Sequence, residues 1–500
     1  MRSERPVPLI LIPTKEQIVS KNKNKLVLII MEYYNLTWRG YIVTNFDDNV
    51  VRILQVSLKD YKNISNGTVT MAGISNIENG KGDILGIYGQ NGSGKTSIIS
   101  SIRIIKDIFS GKPLSKDVEE YIMYGKNESE IEVQFYIKKD IERYKVKYKI
   151  IFAKNDNDSF IKEESIDYWY KANESSNWDK VKGLIKNKFT KNYILPKYRN
   201  DELLSLYDDK NDFIVSKKMR YKTKESFLFS EDLIKLISEN SGKIGKEYEV
   251  LSILKHYAFS NLFIIDNKQL ALSDANILLP MNFKNYRKNE KISMGVMAIG
   301  LDKATYLPRE AVTEIETSLK ASNKVISEII PELRIKLKEL KIQISDSGKE
   351  EVLVELLSCR KDVEIPVRYE SDGIKKIIAV LHLLIAMFNY KSMTVLIDEL
   401  DSGIFEYLLG EILEIIEQRG QGQLIFTSHN LRPLEVLNKE NLVFTTTNPK
   451  KRYIKLKNIK TNNNLRDFYY RDLILGGQDE VLYDRTNSAK ITRAFRKAGE

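Results

Sequence analysis

The chain has 500 residues, 42% of them hydrophobic, with a formal net charge of +11, so it can bury sizeable cores in two or more domains. Its single cysteine, Cys359, excludes a disulfide framework, and one cysteine with three histidines leaves no structural zinc set. The longest apolar stretch, residues 377–388, is too short to span a bilayer, and residues 22–32 do not make a signal peptide, so a cytoplasmic protein without a membrane partner is expected.

Residues 1–50 read as an N-terminal extension, loose around Pro6 and Pro8, with a strand over 38–44. Lobe I is expected over 51–155. It opens on the alternating run 51–62 and continues with an apolar, buried strand, Asp83–Tyr88. The next residues, Gly89-Gln90-Asn91-Gly92-Ser93-Gly94-Lys95-Thr96, fit G-x-x-x-x-G-K-[ST], and a helical pattern opens at Ser97. Strand, loop and helix in that order are what a phosphate-binding loop requires. Glycines let backbone N–H groups turn inward around phosphates, Lys95 reaches the β- and γ-phosphates, and the Thr96 hydroxyl ligates Mg²⁺. A nucleoside triphosphate is therefore the expected ligand. Residues 130–152 alternate as a meander that completes the lobe, with Gln134 an ordinary strand residue.

Residues 156–305 form an insertion in which helical stretches, Glu231–Glu239 and 247–259, alternate with polar loops. No sustained a/d heptads run through it, which excludes a long coiled coil and favours a compact, mostly helical block. Lysines interleaved with aromatics recur at 186–191 with Tyr193, at 197–199 and at 217–224. Such patches suit phosphate contacts with base stacking in DNA or RNA, although Glu163, Glu164, Asp208 and Asp209 dilute the charge. A solvated lysine-rich face explains them equally.

Lobe II is expected over 306–475. A helix over 314–330 places Ile315, Leu319, Val325, Ile326 and Ile329 on one face and ends at Pro331. Strands follow at 335–344 and 352–357, then Ser371 as the cap of a helix over 374–388. The apolar run 393–397 reads as a central parallel strand ending in Asp398 and Glu399. Asp398 is placed to hold Mg²⁺ and Glu399 to polarise the attacking water. After a helix reaching Glu417, the strand Gln423–Thr427 ends in Ser428, His429 and Asn430, where a histidine can meet the γ-phosphate. One more strand is expected over 441–446, then a tail over 476–500 in which Asp479, Glu480 and Asp484 form a surface turn.

The order of Gly89–Thr96, Ser371-Asp372-Gly373, Leu396–Asp401 and Thr427–His429 resembles the ABC-type ATPase head shared by SMC, RecF-like and OLD-type proteins. The likeness covers residues 51–155 and about 310–475, and within the group it is greatest to the OLD-like ATPases of bacterial abortive-infection and phage-defence operons, the AbiL-type subunit. It implies an α/β fold, an ABC/SMC-type P-loop ATPase head, using ATP and Mg²⁺. By that resemblance Ser371 and Gly373 take the signature positions, Asp401 the D-loop position, Glu399 the catalytic base and His429 the switch histidine. It also implies a homo-oligomer in which the signature of one copy closes the phosphate loop of another, and a separately encoded effector. The signature departs from the usual L-S-G-G-Q, reading Glu370-Ser371-Asp372-Gly373-Ile374, and no Q-loop glutamine is evident. No Asp-x-Asp follows His429, so a Toprim-like nuclease would be a separate subunit. A RecF/SMC-like DNA-repair ATPase shares every motif and is the alternative.

Overall fold

The computed structural model describes residues 41–43 and 49–499, apart from residue 72 and residues 156–157, 190–202, 208, 241, 287–291, 346–347, 458–463 and 485. At its centre are short runs of aliphatic residues that do not alternate, because both faces are covered. Asp83–Tyr88, Leu262–Ile265, Thr394–Ile397 and Gln423–Thr427 are buried along their whole length. They pair in parallel, with the phosphate-loop strand Asp83–Tyr88 and the strand Thr394–Ile397 on either side of Gln423–Thr427. Leu262–Ile265 extends the sheet beyond Thr394–Ile397, and Leu442–Thr445 and Tyr453–Ile454 extend it on the other side. All four central strands therefore end on the same edge. The Gly89–Thr96 loop, Asp398-Glu399 and Ser428-His429 emerge there, the place where open parallel sheets bind ligands.

The helix Lys95–Phe109 carries Ile98, Ile102, Ile105 and Phe109 at helical spacing, and all four are buried. They face an antiparallel sheet whose strands do alternate. In Glu128–Lys139 the residues Ile131, Val133, Phe135 and Ile137 are buried, with the half-buried Glu132 and Gln134 between them, while Tyr136 on the opposite face is buried as well. Phe109 sits at the junction, its ring 4.9 Å from Tyr148 and 5.7 Å from Phe135.

The expected opening strand, the meander and Gln134 within it are found in Val50–Tyr61, Glu128–Lys139 and Glu142–Asn155. The strand expected over 38–44 is seen as Tyr41–Val43, paired with Ile292–Gly300, and residues 1–40 and 44–48 lie outside the described residues. The insertion differs from the expected mostly helical block. Glu231–Glu239 and Glu249–Ser260 are helical, but Asp158–Lys171 and Lys182–Lys188 are strands that lengthen the antiparallel sheet, and Leu262–Ile265 joins the central one. Phe160, Tyr168 and Tyr170 belong to Asp158–Lys171, where aromatic side chains favour a pleated, half-buried surface over helix. In lobe II the helix Arg309–Ile329 buries Ile315, Leu319 and Ile326, whereas Val325 lies at the margin of that stripe and is exposed.

Phe109→Ala removes a fully buried ring at the contact of helix and sheet. It is expected to lower stability by about 3–5 kcal/mol, read from the shift of the urea unfolding midpoint.

Candidate ATP-binding and hydrolysis site

The phosphate loop is held from three sides before any ligand enters. A Cβ on Gly89, whose φ is +149°, would lie 1.7 Å from Thr445 Oγ1, so only glycine lets the loop press against the neighbouring strand. Thr445 Oγ1 donates to Tyr88 O at 3.1 Å and shares a hydrogen bond with Ser93 Oγ, which also bonds Gln90 O at 2.6 Å. Tyr453 OH donates to Gly94 O at 2.7 Å, and Asn63 Nδ2 donates to Gly92 O. Asn91 and Gly92 are exposed at the tip, and Ser97 is buried one turn into the helix. Lys95 Nζ donates to Gly89 O at 2.7 Å and Gln90 O at 3.1 Å, which centres its ammonium in the loop. Burial lowers the Lys95 pKa, and Glu399, Asp398 and Asp401 pull it back up.

Across the sheet edge, Thr96 Oγ1 donates to Asp398 Oδ1 at 3.2 Å and Thr427 Oγ1 donates to the same oxygen at 2.6 Å. Asp398 Oδ2 is buried and has no hydrogen-bond partner among the described residues. Burial raises the Asp398 pKa, the two hydroxyls oppose that rise, and the nearby charges of Glu399 and Asp266 reinforce it. An unpartnered carboxylate oxygen beside a threonine hydroxyl is a hard-oxygen donor set, and Mg²⁺ commonly uses one or two such groups with phosphate oxygens and water. The residues fit that ion. Among the described residues no group of three or more His, Cys, Asp or Glu gathers to hold a metal.

Asp266 was not singled out in the sequence. It ends Leu262–Ile265, accepts from Gln269 N at 3.0 Å and pairs with Arg103 at 2.9 Å. The signal was available, because an apolar run ending in aspartate repeats the pattern of 394–398.

Glu399 has φ of +47°, a left-handed conformation costing about 1–2 kcal/mol for a residue with a side chain. Three bonds hold it there. Its N–H donates to Thr427 Oγ1 at 2.7 Å, and its carbonyl accepts from Ser402 N at 3.0 Å and from the Lys376 ammonium. Lys376 is buried on the helix Asp372–Asn389, and burial pushes its pKa down to about 8 against the pull of Asp401 and Glu399. Asp401 Oδ2 accepts from His429 N at 3.0 Å and Asn430 N at 2.9 Å, so the turn after Glu399 fixes the backbone of the histidine loop. The His429 side chain is exposed.

Ser371 is exposed and caps its own helix, accepting from Ile374 N at 3.4 Å. Gly373 is buried against the Asp401–Gly403 turn, where an added Cβ would lie 2.0 Å from Gly403 O. Neither residue hydrogen-bonds the phosphate loop of its own chain among the described residues. The basic patches are divided between interior and surface, with Lys188, Lys218 and Lys222 exposed. Lys186 and Lys188 pair with Glu163 at 2.6 and 3.2 Å, and Lys217 is buried, while residues 190–202 lie outside the described residues. Asp479 and Glu480 pair with Lys457 and Lys451, but Asp484 reaches the site, its N–H donating to Gln90 Oε1 at 3.1 Å.

A phosphate loop, a buried aspartate and a held glutamate on one edge of a parallel sheet define a P-loop ATPase of mixed α/β architecture. The chain belongs to the family described as AAA ATPase domain, which matches residues 52–432. No curated protein matches it. Among solved structures it is similar to an SMC head bound to the C-winged helix domain of ScpA, at 15% identity and a TM-score of 0.38, over 81% of this chain and 97% of that one. It is also similar to the SMC head domain from Thermotoga maritima, at 12% identity and 0.33, over 81% and 100%. The recombination mediator RecF, at 12% and 0.33 over 77% and 94%, is a third.

Thr427→Val keeps the shape of the side chain but strips the hydroxyl from Asp398 and leaves the Glu399 N–H unpaired. It is expected to cost about 1–3 kcal/mol, seen as a lower thermal midpoint, with slower phosphate release at saturating ATP. Gly373→Ala forces the Gly403 carbonyl to move and is expected to cost about 1–3 kcal/mol, measured as a shift in the denaturant midpoint.

Proposed function

We propose that the protein is an ATP-gated clamp and that it serves as a sensor or scaffold in bacterial anti-phage, abortive-infection defence, controlling a separately encoded effector. The effector reading, with a Toprim-like nuclease as its expected kind, rests on the motif order that resembles the OLD-like ATPases. The clamp reading is supported by one arrangement above all. Asp401 fixes the His429 loop on the phosphate side, and the turn it begins packs Gly403 against Gly373 beside the exposed Ser371. A change at the γ-phosphate is thereby tied to the surface that a second copy would meet.

In this reading the loop N–H groups and Lys95 hold the triphosphate, and Ser371 and Gly373 of the second copy close over it through a helix N-terminus. Thr96 and Asp398 would hold Mg²⁺, which when bound neutralises charge on the β- and γ-phosphates. Glu399 orients water in line with the γ-phosphorus and accepts its proton as the new P–O bond forms. The bond to the ADP oxygen breaks, phosphate leaves, and the two copies separate. The DNA-repair alternative shares the same motif order, and of the basic patches Lys217 is buried and Lys186 and Lys188 pair with Glu163, while Lys188, Lys218 and Lys222 are exposed.

The molar mass of wild type and of Glu399→Gln, measured by light scattering with and without ATP and Mg²⁺, tests the clamp. Glu399→Gln should hydrolyse about 10²-fold or more slowly and remain locked in a higher-mass state with ATP. If neither protein changes mass while ATP binds, the shared site is wrong.

A further inference from the structure

The helix Ser488–Ala498 has no buried residue. Its sequence is nevertheless amphipathic. Ile491, Ala494, Phe495 and Ala498 form one stripe, with Phe495 77% exposed, and Lys490, Arg493, Arg496 and Lys497 lie on the other side. No acid occurs between 488 and 498. An apolar stripe with four cations, left uncovered by the described residues of its own chain, is shaped for an acidic and partly apolar surface elsewhere.

The path of the preceding segment says where that surface would be. Val481 O accepts from Thr447 N at 2.8 Å, Leu482 is buried in the lobe II core, and Asp484 N–H bonds the Gln90 side chain. The helix therefore departs from the rim of the phosphate loop. If a second copy closes that loop with its Ser371 and Gly373, its adjoining Asp401–Gly403 turn and the helix Glu406–Arg419 come to the same rim. That helix carries the complementary surface. Tyr407, Glu411, Glu414 and Ile415 are all exposed along one side of it. Phe405, 69% exposed, stacks on Tyr407 with ring centroids 5.8 Å apart, and Glu406 adds a third acid.

We infer that Ser488–Ala498 is a clasp that docks on Glu406–Arg419 of a second copy of this chain, with Ile491 and Phe495 against Tyr407 and Ile415 and its cations facing Glu411 and Glu414. The clasp rests on the shared-site reading and adds to it a contact outside the nucleotide. Because the segment leaves from Gln90, the clasp is anchored to the loop that the nucleotide occupies.

The test uses the full chain carrying Glu399→Gln, with ATP and Mg²⁺, and reads the dimer dissociation constant by sedimentation. Phe495→Asp should weaken assembly about tenfold or more, the loss of one buried aromatic anchor, with ATP affinity and circular dichroism unchanged. Arg493→Glu with Lys497→Glu should weaken it similarly, and adding Glu411→Lys with Glu414→Lys should restore most of the loss. Rescue by the charge swap supports docking on that helix and no other surface. If Phe495→Asp assembles as tightly as its parent, or the swap restores nothing, the clasp is overturned while the shared ATP site stands. If the parent itself never assembles with ATP, the shared-site reading falls and the clasp with it.

Discussion

One hydroxyl joins the two strands on which the chemistry depends. Thr427 Oγ1 donates to the carboxylate of Asp398 and accepts from the N–H of Glu399, at 2.6 and 2.7 Å. The parallel register that sets Ile397 opposite Phe426 places Thr427 at the level of Asp398, so a slip of one residue would turn the hydroxyl to the other face. The bond orients the Asp398 carboxylate, and it also helps hold Glu399 in a left-handed conformation that its side chain disfavours. Without that restraint the residue assigned as base would relax towards ordinary backbone angles, and the turn after it would move.

That turn links the buried site to the outside. Asp401 binds the His429 and Asn430 N–H groups, Ser402 returns a bond to Glu399, and Gly403 lies against Gly373 at the start of the helix Asp372–Asn389. Lys376, from the first turns of that helix, reaches back to the Glu399 carbonyl. Acids that crowd one edge of the sheet are thus balanced by a lysine from one side and by Lys95 from the other. Because these contacts are short and run through consecutive residues, a displacement at Glu399 is passed to the Gly373–Gly403 contact. The exposed Ser371, Phe405 and Tyr407 sit at the end of that chain of contacts, where a partner would feel it.

Much of the site was legible from spacing. Gly89–Thr96 lies between a buried strand and a helix, and Asp398 and His429 follow apolar runs, so each residue was assigned to the sheet edge it occupies. The insertion was not legible in the same way. Asp158–Lys171 pairs with Glu142–Asn155 just before it and Lys182–Lys188 pairs with Asp158–Lys171, so the sheet of the first lobe runs on past residue 155 and the boundary expected there falls inside a continuous antiparallel meander. Leu262–Ile265 is only four residues long, and its membership of the central sheet depends on Thr394–Ile397 lying beside it.

The sequence by itself determined the chemistry of the loop, the strand ends that carry Asp398, Glu399 and His429, and the cap at Ser371. These follow from backbone rules and hydrophobic period that act over a few residues. Tertiary structure alone decided that Thr427 stands between Asp398 and Glu399, that Lys376 and Asp266 face the site, and that Asp484 meets the phosphate loop. Those are contacts between segments distant in sequence, fixed by strand order and register, and no local propensity encodes which side chain a folded sheet will bring opposite another.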